Sequence, residues 1–369
     1  MNKQVESAYI HIPFCKTICS YCDFCKQFYN EKFVKTYLDA LEKEIEQEYK
    51  NEVLKTIYIG GGTPSCLSIE EIEKLFKILE KLNRKENFEF TIEANVSDIN
   101  IEKLSLWKKY GVNRLSIGVE SGIAKYLSLM ERYHEKSEVV EKVSLAKKYF
   151  DNINIDFMYA FPEETKEELA EDLEFIKELN VPHISIYSLI LEEHTKLYLK
   201  NIELLEEEKE AEMYKIIQEF FRKNGYIHYE TSNFAKEGYQ SKHNLTYWNN
   251  NRYYGFGLGA GGYIKNIRYL NTRSMKHYIE GNRRIEEDVI TKEIDMENEM
   301  ILGLRKLQGV NKNIFLEKFG LTIEQNFDIM DLVKNGLLED KNGYIFIPRD
   351  KLYISNSILV HFIGGSKSE

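Results

Sequence analysis

Proline occurs only 5 times in this 369-residue chain, which leaves little room for extended, disorder-prone segments. No apolar run approaches the roughly 20 residues needed to span a bilayer, so no transmembrane segment is expected. Positive charge is in deficit: 50 Lys and Arg against 60 Asp and Glu give a formal net charge of -10. That balance argues against a nucleic-acid partner, whose phosphates demand clustered cations. The stretch Met1 to Ser7 is polar and has no apolar core, so no secretory leader is expected and the cytosol is the expected compartment. Cysteine is rare as well, with 5 residues, and a disulfide scaffold is improbable in a chain of this length. There is no internal repeat and no low-complexity linker. What is present is an ordinary globular composition, 43% hydrophobic and 30% charged, with enough residues for one large and one small domain.

Strand-like and helix-like segments alternate from the start. Strands are expected at Ala8–Ile12, Thr56–Ile59, Phe88–Ile92, Arg114–Val119, Asn152–Met158 and His183–Leu189. Between them lie segments of helical period, such as Glu31–Lys50 with Phe33, Val34, Tyr37, Leu38 and Leu41. Ser68 with Glu71, and Thr165 with Glu168, have the spacing of capping boxes. A long helix is expected over Glu206–Lys223, with Met213, Ile216, Ile217 and Phe220 inward. Six strand–helix units in series predict a parallel α/β sheet with helices outside, either open and doubly wound or a partial barrel. In such folds chemistry gathers at the carboxyl ends of the strands. After about residue 290 the pattern changes. Helices are expected at Met300–Leu307, Asn313–Phe319 and Ile323–Val333, and a hairpin over Leu337–Pro348 turning at Asn342-Gly343. That is a small helix-rich module of winged-helix type.

Four of the five cysteines fall between Cys15 and Cys25. Cys15, Cys19 and Cys22 have the spacing C-x-x-x-C-x-x-C. Three thiolates on one loop suit three irons of a [4Fe–4S] cubane and leave the fourth open. An open iron chelates the amino and carboxylate groups of S-adenosylmethionine (SAM); an electron passed to the sulfonium then breaks a C–S bond and releases a 5′-deoxyadenosyl radical. The alternative is a zinc knuckle, which usually needs four ligands, and Cys66 is the one cysteine outside the loop. Cys25 has three readings: a fourth ligand, a reactive thiol, or a packed side chain. The last is favoured because burial is the commoner fate of a free cysteine.

Several motifs go further. They are His11-Ile12-Pro13-Phe14-Cys15, Gly60-Gly61-Gly62-Thr63-Pro64-Ser65, Thr91-Ile92-Glu93-Ala94-Asn95 and Arg114-Leu115-Ser116-Ile117-Gly118-Val119-Glu120-Ser121. Ile155-Asp156-Phe157-Met158-Tyr159 and Tyr229-Glu230-Thr231-Ser232-Asn233-Phe234-Ala235 complete the set. With these motifs the chain resembles, over nearly its whole length, the radical SAM group that contains oxygen-independent coproporphyrinogen III oxidases and HemW-type haem chaperones. The resemblance implies a partial (β/α)6 barrel with the cluster near its top and a small winged-helix-like C-terminal domain. It divides the chain into a barrel at 1–240, a connecting segment at 241–290 and the small domain at 291–369. It implies that Gly60, Gly61, Gly62 and Thr63 offer backbone groups to the SAM amine. It implies too that Glu93 and Arg132 grip the methionine part, Glu120 and Asp156 meet the ribose hydroxyls, and Tyr9 lies against the sulfonium. The family usually has Gln where this chain has Glu120.

Three features separate chaperone from oxidase. The oxidases have a further cysteine two residues past the third; here that position is Phe24, although Cys25 follows. The oxidases carry a long N-terminal extension, whereas fourteen residues precede Cys15 here. His243-Asn244-Leu245-Thr246-Tyr247-Trp248 is similar to the HNxxYW haem-binding segment of the chaperones, which assigns haem to His243, Asn244, Tyr247 and Trp248. An imidazole serves as an axial ligand, and Tyr and Trp offer flat apolar area; alone, the trio reads as a packed corner. Gly257–Tyr263 lacks the histidine common in the family. His183, His194 and His228 read as structural. The expected function is a haem chaperone with haem as cargo, haem-requiring acceptor proteins as partners and peripheral membrane contact. The alternative is oxidative decarboxylation of porphyrinogen propionates.

Overall fold

The computed structural model describes residues 4–364; residues 1–3 and 365–369, the outer ends of the first and last expected domains, lie outside the described residues. The six expected strands form: β1 (Ser7–Ile12), β2 (Leu54–Gly61), β3 (Arg84–Asn95), β4 (Arg114–Glu120), β5 (Asn152–Tyr159) and β6 (His183–Ser188). They pair in chain order, all parallel. The helices between them include α1 (Glu31–Glu48), α2 (Ile69–Leu79), α3 (Ile101–Lys109), α4 (Lys136–Ala146) and α5 (Lys166–Leu179). Both capping boxes close in both directions, at Ser68/Glu71 and Thr165/Glu168. The long helix α6 (Glu207–Lys223) buries Met213, Tyr214, Ile217 and Phe221. Ile216 and Phe220, expected inward, pack only partly buried at its edge.

Three short strands extend the sheet beyond the expected six. β7 (Ile227–Glu230) pairs antiparallel with β8 (Asn233–Ala235), which itself runs antiparallel beside β6, and β9 (Tyr254–Phe256) adds parallel to β1. The order is β9-β1-β2-β3-β4-β5-β6-β8-β7, an unclosed barrel. Helix α7 (Lys242–Trp248) packs against β2. Residues 261–289 form a separate three-stranded antiparallel sheet.

Strand side chains alternate between two faces. On β4, Leu115, Ile117 and Val119 enter the hydrophobic core beneath the helices. Arg114, Ser116, Gly118 and Glu120 line an internal cavity. β5 repeats this, with Ile153, Ile155 and Phe157 in the core and Asn154, Asp156 and Met158 in the cavity. The barrel therefore has an oily outer layer and a polar inside.

In the C-terminal module the observed helix is α8 (Lys292–Gly303), begun by the Thr291 cap, rather than one over Met300–Leu307. α9 (Lys312–Phe319) forms as expected. The helix expected over Ile323–Val333 breaks after Asn326, where Phe327 turns extended and is buried. The hairpin forms as β11 and β12, with β10 (Val310–Asn311) pairing to β12 (Tyr344–Phe346), whose other neighbour is β11 (Glu339–Lys341). Asn342 and Gly343 both take positive φ at its turn, as a two-residue hairpin loop requires. No helix among the described residues is long and apolar enough to cross a membrane.

Candidate functional site

The interior of the barrel holds a cavity of about 540 Å³. At its top lie Cys15, Cys19 and Cys22, and at its floor Arg114 and Asn244. The cysteine loop is tied to the glycine turn by two backbone bonds, Gly62 N–H to the Ile12 carbonyl and Thr63 N–H to the Phe14 carbonyl, each 2.8 Å. The Thr63 hydroxyl donates to Cys15 Sγ at 3.4 Å, and Arg132 Nη1 donates to Cys19 Sγ at 3.6 Å. Burial pushes the Cys15 thiol up to about 11. A side chain on Gly62 would put its Cβ 2.8 Å from the Pro13 carbonyl carbon and 3.0 Å from Cys15 Sγ. Glycine is what lets the loop sit this close.

No three His, Cys, Asp or Glu side chains among the described residues gather about one point as a single metal ion would need. The three thiols instead ring a cavity, the arrangement asked for by a cubane whose thiolates sit on separate irons. Cys25 is outside that ring. Its thiol packs where a Cβ on Gly259 would fall, 3.0 Å away, and its carbonyl accepts from His11 Nε2 at 2.7 Å.

Glu93 accepts from the Tyr58 hydroxyl at 2.8 Å and from Gly61 N–H at 3.0 Å. With the N–H groups of Gly61, Gly62 and Thr63 taken within the chain, the turn presents carbonyl acceptors, which is what a donating amine needs. Gly60 does not line the cavity, because its Cα is covered by the Glu93 carboxylate: a Cβ there would lie 2.8 Å from Oε1. Arg132 pairs with Glu120 rather than with Glu93. Its Nη1 stands 3.5 Å from Glu120 Oε1, its Nη2 donates to the Gly118 carbonyl at 2.5 Å, and its Nε is buried without a partner. Glu120 is aimed there by a bulge between β4 and β5 that puts it at φ +68°. Asp156 accepts from Ser116 at 3.0 Å and Asn154 at 2.8 Å. Burial raises all three carboxylates, Glu93 and Glu120 to about 7. A cationic ligand relieves that desolvation; an uncharged one does not. The side chains and backbone thus fit SAM: carbonyls and Glu93 for its amine, a guanidinium for its carboxylate, carboxylates for its hydroxyls. Tyr9 falls outside the cavity lining; its hydroxyl donates to His11 Nδ1 at 2.9 Å.

The expected haem residues are not presented together. Helix α7 is a plug under the barrel, its first N–H groups, those of Lys242 and His243, held by the Glu89 carboxylate at 3.0 and 2.9 Å. His243 is 1% exposed, with Nδ1 bonded to Thr56 Oγ1 at 2.7 Å and Nε2 to Tyr247 at 2.8 Å. Neither ring nitrogen is free in this conformation. Burial lowers its pKa to about 3, so the ring is neutral. Asn244 reaches the cavity floor. Tyr247 and Trp248 are half-buried.

Sequence reasoning passed over Tyr58, Arg114, Asn154 and Ser185 as cavity residues. The signal was present: Thr56 and Tyr58, Arg114 and Ser116, and Asn154 and Asp156 alternate with apolar residues, which a period-2 reading assigns to one face.

A model of the radical SAM superfamily matches residues 9–176, and one of the HemN C-terminal domain matches residues 290–350. Heme chaperone HemW of Lactococcus lactis subsp. lactis (strain IL1403) is 40% identical, over 98% of this chain and 98% of its own. Heme chaperone HemW of Bacillus subtilis (strain 168) is 39% identical, over 98% and 100%. The solved structure of coproporphyrinogen III oxidase (HemN) from Escherichia coli, a radical SAM enzyme, superposes with a TM-score of 0.84 over 98% of this chain and 90% of that one. At 22% identity that likeness is one of fold, and it agrees with the expected α/β barrel and C-terminal module. Matched along almost its entire length by these relatives, the chain belongs to the radical SAM superfamily and, within it, to the family of heme chaperone HemW.

Proposed function

We propose that this protein is a haem chaperone: it holds a [4Fe–4S] cluster on Cys15, Cys19 and Cys22, binds SAM beside it, and carries haem to haem-requiring proteins. The observation that carries this reading is the full-length similarity to two HemW chaperones at 40% and 39% identity. Phe24 supports it, standing 69% exposed where the oxidases place a cysteine.

When bound, the cluster supplies an electron to the SAM sulfonium. The chain's own residues hold the reactants. The carbonyls of the glycine turn and Glu93 accept from the amine, Arg132 donates to the carboxylate, and Glu120 and Asp156 accept from the ribose. Tyr9 acts through His11, whose Nε2–H fixes the Cys25 carbonyl behind the cysteine loop. His243, Asn244, Tyr247 and Trp248 would hold the haem cargo, the His243 imidazole being the group able to meet its iron. To do so His243 would give up its hydrogen bond to Tyr247.

The test is an anaerobic haem titration of the cluster-loaded protein, followed in the Soret band. Wild type is expected to bind one haem and His243→Ala to lose or shift its spectrum. Identical spectra overturn the assignment of His243, and no binding overturns the chaperone reading. The relatives favour the chaperone over the decarboxylase. Coproporphyrinogen III, SAM and reductant are therefore expected to yield no stoichiometric vinyl product.

A further inference from the structure

We infer that Arg114 anchors a carboxylate-binding subsite at the floor of the barrel, apart from the end where SAM binds. Arg114 is 1% exposed and lines the cavity. Among the described residues its guanidinium has no hydrogen-bond or ion-pair partner, and its Nε is buried without one. A buried cation left open in this way is costly unless something pairs with it.

The chain's own carboxylates do not serve. Asp156, close enough for the Arg114 charge to pull its pKa down against burial, is satisfied by Ser116 and Asn154. Glu93 is satisfied by Tyr58 and Gly61, and Glu89 by the first N–H groups of α7. Each acid has other donors, so the guanidinium fork faces the cavity unclaimed. Beside it on the floor stands Asn244, whose side chain also opens to the cavity.

The SAM carboxylate is assigned to Arg132 instead. Arg132 bonds the Gly118 carbonyl, four residues along β4 from Arg114, a backbone separation of about 13 Å at the rise of a strand. The two arginines line the cavity from opposite ends of that strand. A planar carboxylate matches the two-pronged guanidinium, with the Asn244 amide as a further donor. The ligand class is a carboxylate, either a small free acid or the propionate arm of a tetrapyrrole. The subsite stands independently of haem binding at His243.

The test is ¹⁹F NMR of trifluoroacetate with the full chain, cluster-loaded and saturated with SAM so that Arg132 is occupied. Broadening of the fluorine line is expected, reversed by propionate and not by propionamide. Arg114→Gln is expected to weaken binding by at least about tenfold, as for loss of a charged hydrogen-bond pair. Should that variant fail to fold, Arg114→Lys keeps the charge without the fork, and Asn244→Ala removes the second donor; each is expected to weaken binding several-fold. Displacement of trifluoroacetate by haem but not by haem dimethyl ester assigns the subsite to a propionate arm. Displacement by neither assigns it to a free small acid. No broadening with wild type, or broadening unchanged in the Arg114 and Asn244 variants, overturns the inference.

Discussion

Glu120 and Arg132 face each other inside the barrel at 3.5 Å, both almost wholly shielded from solvent. Removing one member of such a pair leaves the other charge buried and alone. Arg132→Gln is therefore expected to destabilise the SAM-free protein by about 2–4 kcal/mol at pH 8. The loss shrinks at pH 6, because Glu120, already pushed up to about 7 by burial, then takes a proton instead of standing charged. Denaturant melts at the two pH values check this. Glu120→Gln, which restores the residue usual in the family, keeps an acceptor facing Arg132 and is expected to cost less than Arg132→Gln.

Glu93 and Glu120 also set a pH dependence. Burial raises both to about 7, above the ordinary carboxylate value of about 4.5. In the SAM-free protein the folded state holds these protons more tightly than the unfolded chain. Their contribution to stability is complete below about pH 4.5 and is lost as pH rises through about 7. SAM, carrying a sulfonium, prefers the ionised carboxylates. SAM affinity is expected to rise between about pH 6 and 8 and then level, read by calorimetry. Glu93→Gln flattens that rise.

Gly62 is expected to tolerate no side chain. The Cβ of Gly62→Ala meets backbone of Pro13 at 2.8 Å and Cys15 Sγ at 3.0 Å. Backbone does not yield as a flexible side-chain tip does, so overpacking costs of about 1–3 kcal/mol are expected. Cysteine-loop displacement shows as reduced iron content after anaerobic reconstitution.

Tyr247 holds His243 Nε2 at 2.8 Å. Tyr247→Phe frees that nitrogen without emptying the floor of the barrel. If His243 is the axial ligand, haem affinity of this variant is expected to increase about two- to tenfold, the worth of one hydrogen bond. A Soret titration measures it, and unchanged affinity speaks against His243.

Much of this architecture was legible in the chain. Runs such as Arg114–Val119 gave the parallel strands, and Ser68/Glu71 and Thr165/Glu168 gave helix starts that the structure reproduces. The strands of three or four residues, such as Asn233–Ala235, were not legible, because they are too short to show a period and exist by pairing with β6. Nor was the Arg132–Glu120 pairing. It depends on the bulge after Gly118, a register shift that no local spacing announces. His243 shows the limit of motif reading: His, Tyr and Trp in one helix say nothing of Thr56, 187 positions away, which takes the imidazole's other nitrogen.

The cluster assignment is tested most directly by iron and acid-labile sulfide analysis of Cys22→Ala beside Cys25→Ala, both purified and reconstituted without oxygen. Cys25→Ala is expected to keep about four irons and four sulfides, and Cys22→Ala to lose them. Equal loss in the two variants, or equal retention, contradicts a cubane held by Cys15, Cys19 and Cys22.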